Sequence, residues 1–403
     1  MYEAVKVAPD VYWVGAIDWN ERNFHGYTTD RGSTYNAYLI MDEKITLIDT
    51  VKPGFGNEMI QRISQIVDPS KIDIVVSNHV ERDHSGSLPD IMALAPNAKV
   101  ITSDPKGHAG LIAHYGDDYD YQPVKSGDTL TIGKRTLTFV HTPMVHWPDN
   151  MVTYSAFDKI LFSNDAFGQH LASSQRFDDQ MYLPDVLIQA KKYYANIVMP
   201  YSKQVQGVLK AVEGLDISMI APSHGVIWRS NVDAILKKYR KWCYQELEEY
   251  ALVVYDSMWH STEQMAESIV EACTECGIPV RLLDLKCNHI SDIMTEVLTA
   301  RYLAVGSPTL NNNMMPTVAA FFCYLKGLSP RAMKESKRIG IPFGSYGWAP
   351  AGPKDAAKEF EIAGYEMPLG TLVRQWTPDD AYLSDLRDQV SKQLRELHAQ
   401  TEA

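Results

Sequence analysis

Four side chains that commonly bind metal ions lie close together in the stretch SNHVERDHSG, residues 77–86. They are His79, Glu81, Asp83 and His84. An apolar run, DIVV, precedes them and predicts a strand, so the group lies where loops on a rigid scaffold usually carry functional residues. Packing alone does not explain four such groups within six positions, and we interpret them as part of a metal site.

Three further candidates lie near the ends of later predicted strands. They are His146 in TPMVHWPD, Asp165 in LFSNDAFG and His224 in IAPSHGVI. The whole set offers four imidazoles and three carboxylates, more ligands than one metal ion takes. Two ions that share Asp165 as a bridging ligand would use all seven groups.

The identity of the metal is indicated by Glu81. A carboxylate in place of an imidazole adds negative charge, which stabilises higher oxidation states, and ligand sets rich in carboxylate and free of thiolate favour harder ions such as iron or manganese. The sequence therefore predicts redox iron and electron-transfer chemistry rather than zinc and hydrolysis. Other histidines are interpreted as ordinary core or surface residues: His108, His114, His289 and His398.

Three more residues are candidates for a supporting catalytic role. They are His25 in NFHGYTT, His170 in FGQH and Tyr194 in KYYANIV. If they face the pocket, they would hydrogen-bond or protonate a bound oxygen species. A packing role is an equal alternative for the two histidines and the preferred one for Tyr194.

A second site is indicated by YDSMWHSTEQMA, residues 255–266, which follows the apolar strand ALVV and opens a predicted helix. Its hydroxyls lie beside the free N–H groups of a helix N-terminus, a combination that binds phosphate. The stretch has no lysine, so it suits one phosphate monoester, as in FMN, rather than a nucleoside triphosphate. An ordinary N-cap is the alternative. The candidate residues are Ser257, Met258, Trp259, His260, Ser261 and Thr262.

Two later strand ends would complete this flavin site. They are VGSPTLNNN, residues 305–313, and FGSYGWAPAG, residues 343–352. Glycine lets backbone amides approach a flat ring, and tyrosine or tryptophan stacks on it. The candidates are Ser307, Pro308, Thr309, Leu310, Asn311 and Asn312 in the first loop, and Ser345, Tyr346, Gly347 and Trp348 in the second.

The pattern of predicted strands and helices that position these residues changes near residue 250. Residues 1–249 are predicted to contain many short strands, with helices near 55–67, 87–95, 184–195, 203–214 and 231–249. Residues 250–403 alternate five strands with helices at 262–276, 291–299, 315–327, 353–363 and 379–399. We therefore predict two α/β domains, 1–249 and 250–403, the second a doubly wound parallel sheet.

Composition excludes several classes of function. The net charge of −12 argues against nucleic-acid binding and against an anionic membrane surface. No apolar run has transmembrane length, and the N-terminus does not resemble a signal peptide. Five sparse cysteines suit a reducing compartment, so a cytoplasmic location is expected. The pair Cys273 and Cys276 is interpreted as ordinary helix packing.

The H-x-E-x-D-H pattern, followed by the separate His146, Asp165 and His224, resembles the metallo-β-lactamase-like domain of flavodiiron proteins. The second half resembles the flavodoxin domain of the same family, and the two resemblances together span essentially the full chain. They imply an N-terminal metallo-β-lactamase-like αββα sandwich followed by a flavodoxin-like doubly wound parallel sheet. This sequence has Glu81 where hydrolases of the fold have histidine, and His260 where free flavodoxins usually have glycine.

The resemblance also implies a ligand assignment. One iron would be held by His79, Glu81 and His146, and the other by Asp83, His84 and His224. Asp165 would bridge them in a μ-oxo or μ-hydroxo diiron centre. In some members the residue that matches His84 is turned away from the metal.

The activity implied by the resemblance is reduction of O₂ to water, of NO to N₂O, or both, with electrons that arrive through FMN. The chain ends without a C-x-x-C…C-x-x-C extension, so a separate donor is expected: rubredoxin or, as in some archaeal members, reduced coenzyme F420. Family members form head-to-tail homodimers or dimers of dimers. Two alternatives stay open: a zinc hydrolase with a flavodoxin tether, and a non-catalytic gas sensor or electron carrier.

Overall fold

The computed structural model of the protein describes residues 2–329 and 337–402. The chain folds into two compact units. The first runs to Tyr194 and includes Tyr201–Arg240, and the second combines Ala195–Pro200 with the chain from Lys241 onward. No helix among the described residues is both long enough and apolar enough to cross a membrane.

The first unit is built from short strands and helices. Its strands are β1 Val5–Ala8, β2 Val11–Trp13, β3 Ala16–Asp18, β4 Asn23–Phe24, β5 Tyr27–Thr28, β6 Ser33–Tyr35, β7 Tyr38–Ile40, β8 Thr46–Ile48, β9 Ile74–Ser77, β10 Lys99–Ser103, β11 Asp120–Val124, β12 Thr129–Thr131, β13 Thr136–His141, β14 Met151–Ser155, β15 Ile160–Asn164 and β16 Met219–Pro222. Its α-helices are α1 Gly56–Ile63, α2 Arg82–Ser85, α3 Leu88–Leu94, α4 Lys106–Tyr115, α5 Leu183–Tyr193, α6 Ser202–Val212 and α7 Val232–Cys243. Short 3₁₀ turns at Pro69–Lys71 and Asp178–Gln180 also belong to this unit. A π-helical stretch at Tyr194–Val198 and a 3₁₀ turn at Met199–Tyr201 lie mostly in the segment Ala195–Pro200, which belongs to the second unit.

Two mixed sheets form the centre of this unit. The first has the order β1-β2-β7-β8-β9-β10-β11 and the second the order β12-β13-β14-β15-β16. Side chains from both sheets, such as Ile48, Val76, Phe139 and Phe162, pack into one buried core. The other face of the first sheet packs on α1, α3 and α4 through a second core. This layering agrees with the expected metallo-β-lactamase-like sandwich.

The second unit is a five-stranded sheet in which every neighbouring pair is parallel. Its strands are β17 Glu248–Tyr255, β18 Val280–Asp284, β19 Ala300–Gly306, β20 Ile339–Tyr346 and β21 Leu372–Gln375, in the order β18-β17-β19-β20-β21. Its helices are α8 Ser261–Glu275, α9 Ile290–Val297, α10 Pro316–Leu328, α11 Ala351–Ala363 and α12 Asp380–Glu402. The predicted doubly wound parallel sheet is confirmed, and its strand order places ligands at the carboxyl ends of the strands.

Two sequence predictions about helices were wrong. The helix predicted for 231–249 ends at Cys243, because Glu248 already pairs with Ala300 as the start of β17. The sequence analysis missed α4, KGHAGLIAHY, which carries two glycines and buries only Gly107 and Leu111, so it shows no apolar stripe.

Candidate metal centre and flavin site

The seven predicted metal ligands lie in loops that follow strands of the first unit, and all seven are buried. His79 comes two residues after β9, Asp165 directly follows β15 and His224 follows β16. Glu81 is the N-cap residue of α2, which is a single helical turn. The Glu81 carbonyl accepts hydrogen bonds from the N–H groups of His84 and Ser85 at the start of this turn. That turn places Asp83 and His84 beside the strand ends, and the loop between β13 and β14 brings in His146.

The ligand atoms form two groups. In the first group they come from His79, Glu81, His146 and Asp165, and in the second from Asp83, His84 and His224. Asp165 connects the groups through its two oxygens. Its Oδ2 lies 3.4 Å from His146 Nε2 and 3.7 Å from His79 Nε2, and its Oδ1 lies 3.1 Å from His84 Nε2 and 3.4 Å from His224 Nε2. This is the arrangement expected of a carboxylate between two metal ions.

The buried carboxylates of this cluster have unused bonding capacity. Within residues 2–329 and 337–402, both oxygens of Asp83 and Asp165 and both ring nitrogens of His84 form no hydrogen bond of acceptable geometry. Buried charges without compensation cost several kcal/mol each, so such groups pair with ions or bind metals. Four imidazoles and three carboxylates without thiolate fit a pair of iron ions, and His84 faces the centre with the others.

Electrostatics in the cluster favour bound cations. Burial lowers the pKa of His146, but the nearby carboxylates of Asp165 and Glu81 outweigh this effect and raise the pKa to about 9. Burial likewise lowers the pKa of His224, and Asp165 and Asp83 raise it to about 10. The carboxylates therefore attract positive charge strongly, and metal ions supply that charge when the imidazoles bind in their neutral form.

Two ligand histidines are oriented by fixed partners. His79 donates its Nδ1 proton to Asp149 Oδ2 at 2.7 Å, and His224 donates its Nδ1 proton to the Thr34 carbonyl at 2.7 Å. Both rings therefore present Nε2 to the cluster. The sequence analysis missed Asp149; its place three residues after His146, in HWPDN, was the available signal.

The predicted supporting residues separate into two kinds. His25, at the tip of the β4–β5 hairpin, contacts Glu81 Oε1 through Nε2 at 2.6 Å. His170 is buried with its ring centroid 4.6 Å from that of His224 and bonds Ser33 Oγ through Nδ1 at 2.6 Å. Tyr194 points elsewhere, since its hydroxyl lies 3.0 Å from Ser202 Oγ.

The tyrosine beside the cluster is the preceding residue, Tyr193. Its ring lies 5.2 Å from that of His170 and 5.9 Å from that of His224. Burial raises the pKa of Tyr193 well above its usual value, and Asp165 raises it further, so its phenol stays protonated. The last residue of α5, Tyr193, and the next residue, Tyr194, point in different directions, which the sequence motif KYYANIV did not resolve.

The second unit contains a cavity of about 420 Å³ at the carboxyl end of its sheet. Most predicted flavin-binding residues line it: Ser257, Met258, Trp259, Ser261, Pro308, Thr309, Leu310, Asn311, Ser345, Tyr346, Gly347 and Trp348. The sequence analysis missed Trp376 and Thr377, which follow β21 and also line it. The indole of Trp376 is 65% exposed in the structure, as expected for a ring that stacks on a planar ligand.

Four predicted flavin residues do not line this cavity. Thr262 is buried, and its hydroxyl lies 3.1 Å from Ser345 Oγ, so it joins two of the lining loops. Ser307 is also buried, and its hydroxyl donates to the Pro308 carbonyl and accepts the Met315 N–H. His260 adopts a left-handed conformation at the N-cap of α8 and contacts Glu263. The fourth is Asn312.

The cavity has the features that FMN requires. The Ser257 hydroxyl is buried at the phosphate loop and has no hydrogen-bond partner within the described residues. The free N–H groups at the start of α8 lie beside it, and together they suit a phosphate group. A Cβ added at Gly347 would approach the Trp376 ring to 3.1 Å, so glycine keeps this wall of the cavity open.

Comparison with known proteins identifies the family. Residues 34–225 match the family described as ODP family beta lactamase, and residues 253–388 match the flavodoxin family. A nitric oxide reductase of Moorella thermoacetica is 42% identical, with 94% of this chain and 95% of the relative covered. The solved structure of rubredoxin oxygen:oxidoreductase from Desulfovibrio gigas is 40% identical, covers 100% of both chains and gives a TM-score of 0.95. The flavodiiron protein from Giardia intestinalis is 34% identical, covers 99% of this chain and 98% of its own, and gives a TM-score of 0.95.

The chain therefore belongs to the flavodiiron protein family, as the sequence motifs indicated.

Proposed function

We propose that this protein is a flavodiiron oxidoreductase that receives electrons through FMN and reduces O₂ to water, NO to N₂O, or both. The observation that carries the proposal is the position of Asp165, whose two oxygens each face a separate group of buried metal-binding side chains. Relatives named nitric oxide reductase and rubredoxin-oxygen oxidoreductase support both substrates.

The residues divide the work of holding the metals. His79, Glu81 and His146 would hold one iron, and Asp83, His84 and His224 would hold the other, with Asp165 available to both. When bound, the iron pair supplies the redox site for O₂ or NO, and FMN supplies one- and two-electron transfer. Glu81 adds negative charge to the first group. Asp149 fixes the orientation of the His79 ring, and the Thr34 carbonyl fixes that of the His224 ring.

Two histidines support this centre in different ways. His25 is half-exposed and contacts Glu81, and this hydrogen bond raises the pKa of His25 against the opposing effect of its partial burial. It therefore connects solvent to a ligand carboxylate. His170 is fully enclosed, and burial lowers its pKa well below the usual value, so it acts as a neutral hydrogen-bonding group.

The flavin occupies the cavity of the second unit. Ser257 and Ser261, with the N-terminus of α8, would bind the phosphate, and the loops after β19, β20 and β21 would hold the ring system. Thr262 and Ser307 hold these loops in place through the hydrogen bonds described above.

Three further elements extend the proposal. A separate protein or coenzyme delivers the electrons, with rubredoxin as the first candidate, since a relative is named for it, and reduced coenzyme F420 as the second. A head-to-tail homodimer, or a dimer of dimers, is proposed from family resemblance. The cytoplasmic location stays a prediction from the cysteine pattern.

The test combines metal analysis with turnover. Protein purified without added metal should contain two irons and one FMN per chain. Protein that has been reduced under anaerobic conditions should consume O₂ or NO that is then added, with rubredoxin or reduced coenzyme F420 as donor. Two zinc ions without turnover would favour the hydrolase alternative, and iron and FMN without gas consumption would favour a sensor or an electron carrier.

A further inference from the structure

Lys286 contacts the phosphate loop from a neighbouring strand end. It follows β18, and its Nζ donates a hydrogen bond to the Ser257 carbonyl at 2.7 Å. The same Nζ lies 3.4 Å from Asp256 Oδ1 and 4.0 Å from Asp284 Oδ2. Lys286 is distant in sequence from the loop, which itself has no lysine, so the motif gave no indication of this cation.

Asp256 places a negative charge directly before the phosphate loop. It is the first residue after β17, and only 2% of its side chain is exposed. Its Oδ2 accepts a hydrogen bond from Thr317 Oγ1 at 2.5 Å. Its Oδ1 forms no hydrogen bond within the described residues, and the ammonium of Lys286 faces that oxygen.

This arrangement poses an electrostatic conflict for the proposed ligand. A phosphate monoester carries close to two negative charges at neutral pH. A buried carboxylate beside its binding loop repels it, because repulsion between like charges is strong where water is excluded. Hydroxyls and backbone N–H groups can bind the phosphate but cannot cancel the charge of Asp256.

We propose that Lys286 is a positioning residue that neutralises Asp256 and so allows the loop to accept a dianionic phosphate. Lys286 thereby sets the preference of the cavity for phosphorylated flavins over riboflavin. This inference rests on the proposed FMN site and adds a specificity residue to it. The ammonium acts through Asp256 and the Ser257 carbonyl, and neither Lys286 nor Asp256 is among the residues that line the cavity.

The experiment measures flavin affinity rather than turnover. Flavin is removed from the full-length protein, and FMN and riboflavin are titrated separately by quenching of flavin fluorescence. The Lys286→Met variant should weaken FMN binding by about tenfold or more, because it leaves Asp256 buried and unpaired, while the affinity for riboflavin changes less than about threefold. Lys286→Arg, which keeps the charge, should preserve most of the preference for FMN.

Two further variants separate charge from structure. Asp256→Asn combined with Lys286→Met removes both charges and should restore FMN affinity to within about threefold of the original protein. Thr317→Val removes a hydrogen bond from the same carboxylate without a change of charge. It is the matched control and should leave the ratio of FMN to riboflavin affinity unchanged.

Each outcome decides the question. Equal loss of FMN and riboflavin binding in Lys286→Met, or no loss of either, would overturn the role of the charge. If that variant does not fold, Asp256→Asn alone carries the test, because it should tighten FMN relative to riboflavin and an unchanged ratio would contradict the inference. If the unmodified protein binds no FMN at all, the proposed flavin site fails instead.

Discussion

Asp149 offers a sensitive test of how the metal centre is organised. Its side chain is 3% exposed, and its Oδ2 accepts two N–H groups, from His79 Nδ1 at 2.7 Å and from the Val80 backbone at 2.8 Å. The first bond fixes the His79 ring so that Nε2 faces the cluster. The second fixes the backbone between His79 and Glu81. We expect Asp149→Ala to weaken iron binding without removal of any ligand.

The expected size follows from these two contacts. A hydrogen bond to a charged group is worth roughly 1.5–3 kcal/mol. Loss of the bond to His79 should therefore reduce iron affinity by about 10- to 100-fold, the usual effect of removing a partner that orients a metal-binding histidine. Loss of the bond to Val80 acts on the fold itself and should lower the free energy of unfolding of the metal-free protein by a similar 1.5–3 kcal/mol.

Two measurements separate these effects. Competition with a calibrated iron chelator gives the change in affinity, and urea unfolding of the metal-free protein gives the change in stability. Asp149→Asn is the graded control, since its amide oxygen still accepts both N–H groups but carries no charge, and it should fall between the original protein and the alanine variant. Iron affinity within twofold of the original in Asp149→Ala would refute the orienting role.

Further changes test other parts of the molecule. Asp165→Ala should lose iron and both reductase activities but keep FMN, as metal and flavin analysis will show; retained activity would rule out a shared ligand. Ser257→Ala with Thr262→Val should weaken FMN binding and leave iron content intact, and unchanged flavin content would contradict this phosphate loop. Arg135→Met should lower the free energy of unfolding by about 3–5 kcal/mol in urea, because it leaves the carboxylate of Asp42 without its buried partner. Burial raises the pKa of Asp42, but hydrogen bonds, including those from Arg135, outweigh it and keep the pKa below the ordinary value of 3.8. The stability that this carboxylate supplies is therefore present above about pH 4 and is lost as the pH falls further. Asp42→Asn should make the free energy of unfolding less dependent on pH in this acid range, and an unchanged pH dependence would contradict the prediction.

The proposed metal-binding residues could be predicted from the sequence because many of them lie close together along the chain. Four of them lie within six positions, and the remainder stand beside strands whose apolar runs are unambiguous. The structure brings all seven together, and it also shows what the sequence could not. The pairing of His79 with Asp149 joins residues 70 positions apart, so the sequence around His79 does not show it.

The residues of the flavin site were predicted to a similar extent, and those that were missed were missed for a similar reason. The phosphate loop and the two later loops follow from strand ends in a parallel sheet. Trp376 follows β21 and lines the cavity, and Lys286 follows β18 and contacts the phosphate loop. Both were missed because the order of the strands in the sheet decides which strand ends become neighbours. The helix predicted up to residue 249 was too long because pairing with β19 overrides local helical preference in its last residues.

The proposed metal ligands are spread from His79 to His224, and the last of them depends on β16, which joins the second sheet beside β15. A nascent chain that has left the ribosome only as far as β15 therefore carries five of the seven side chains and lacks both Asp165 and His224. Assembly of the diiron pair must wait until some 220 residues have been synthesised and folded. Iron supplied during translation would therefore be bound stably only after His224 has been synthesised. The filled centre would then indicate that the whole N-terminal unit has reached its native state.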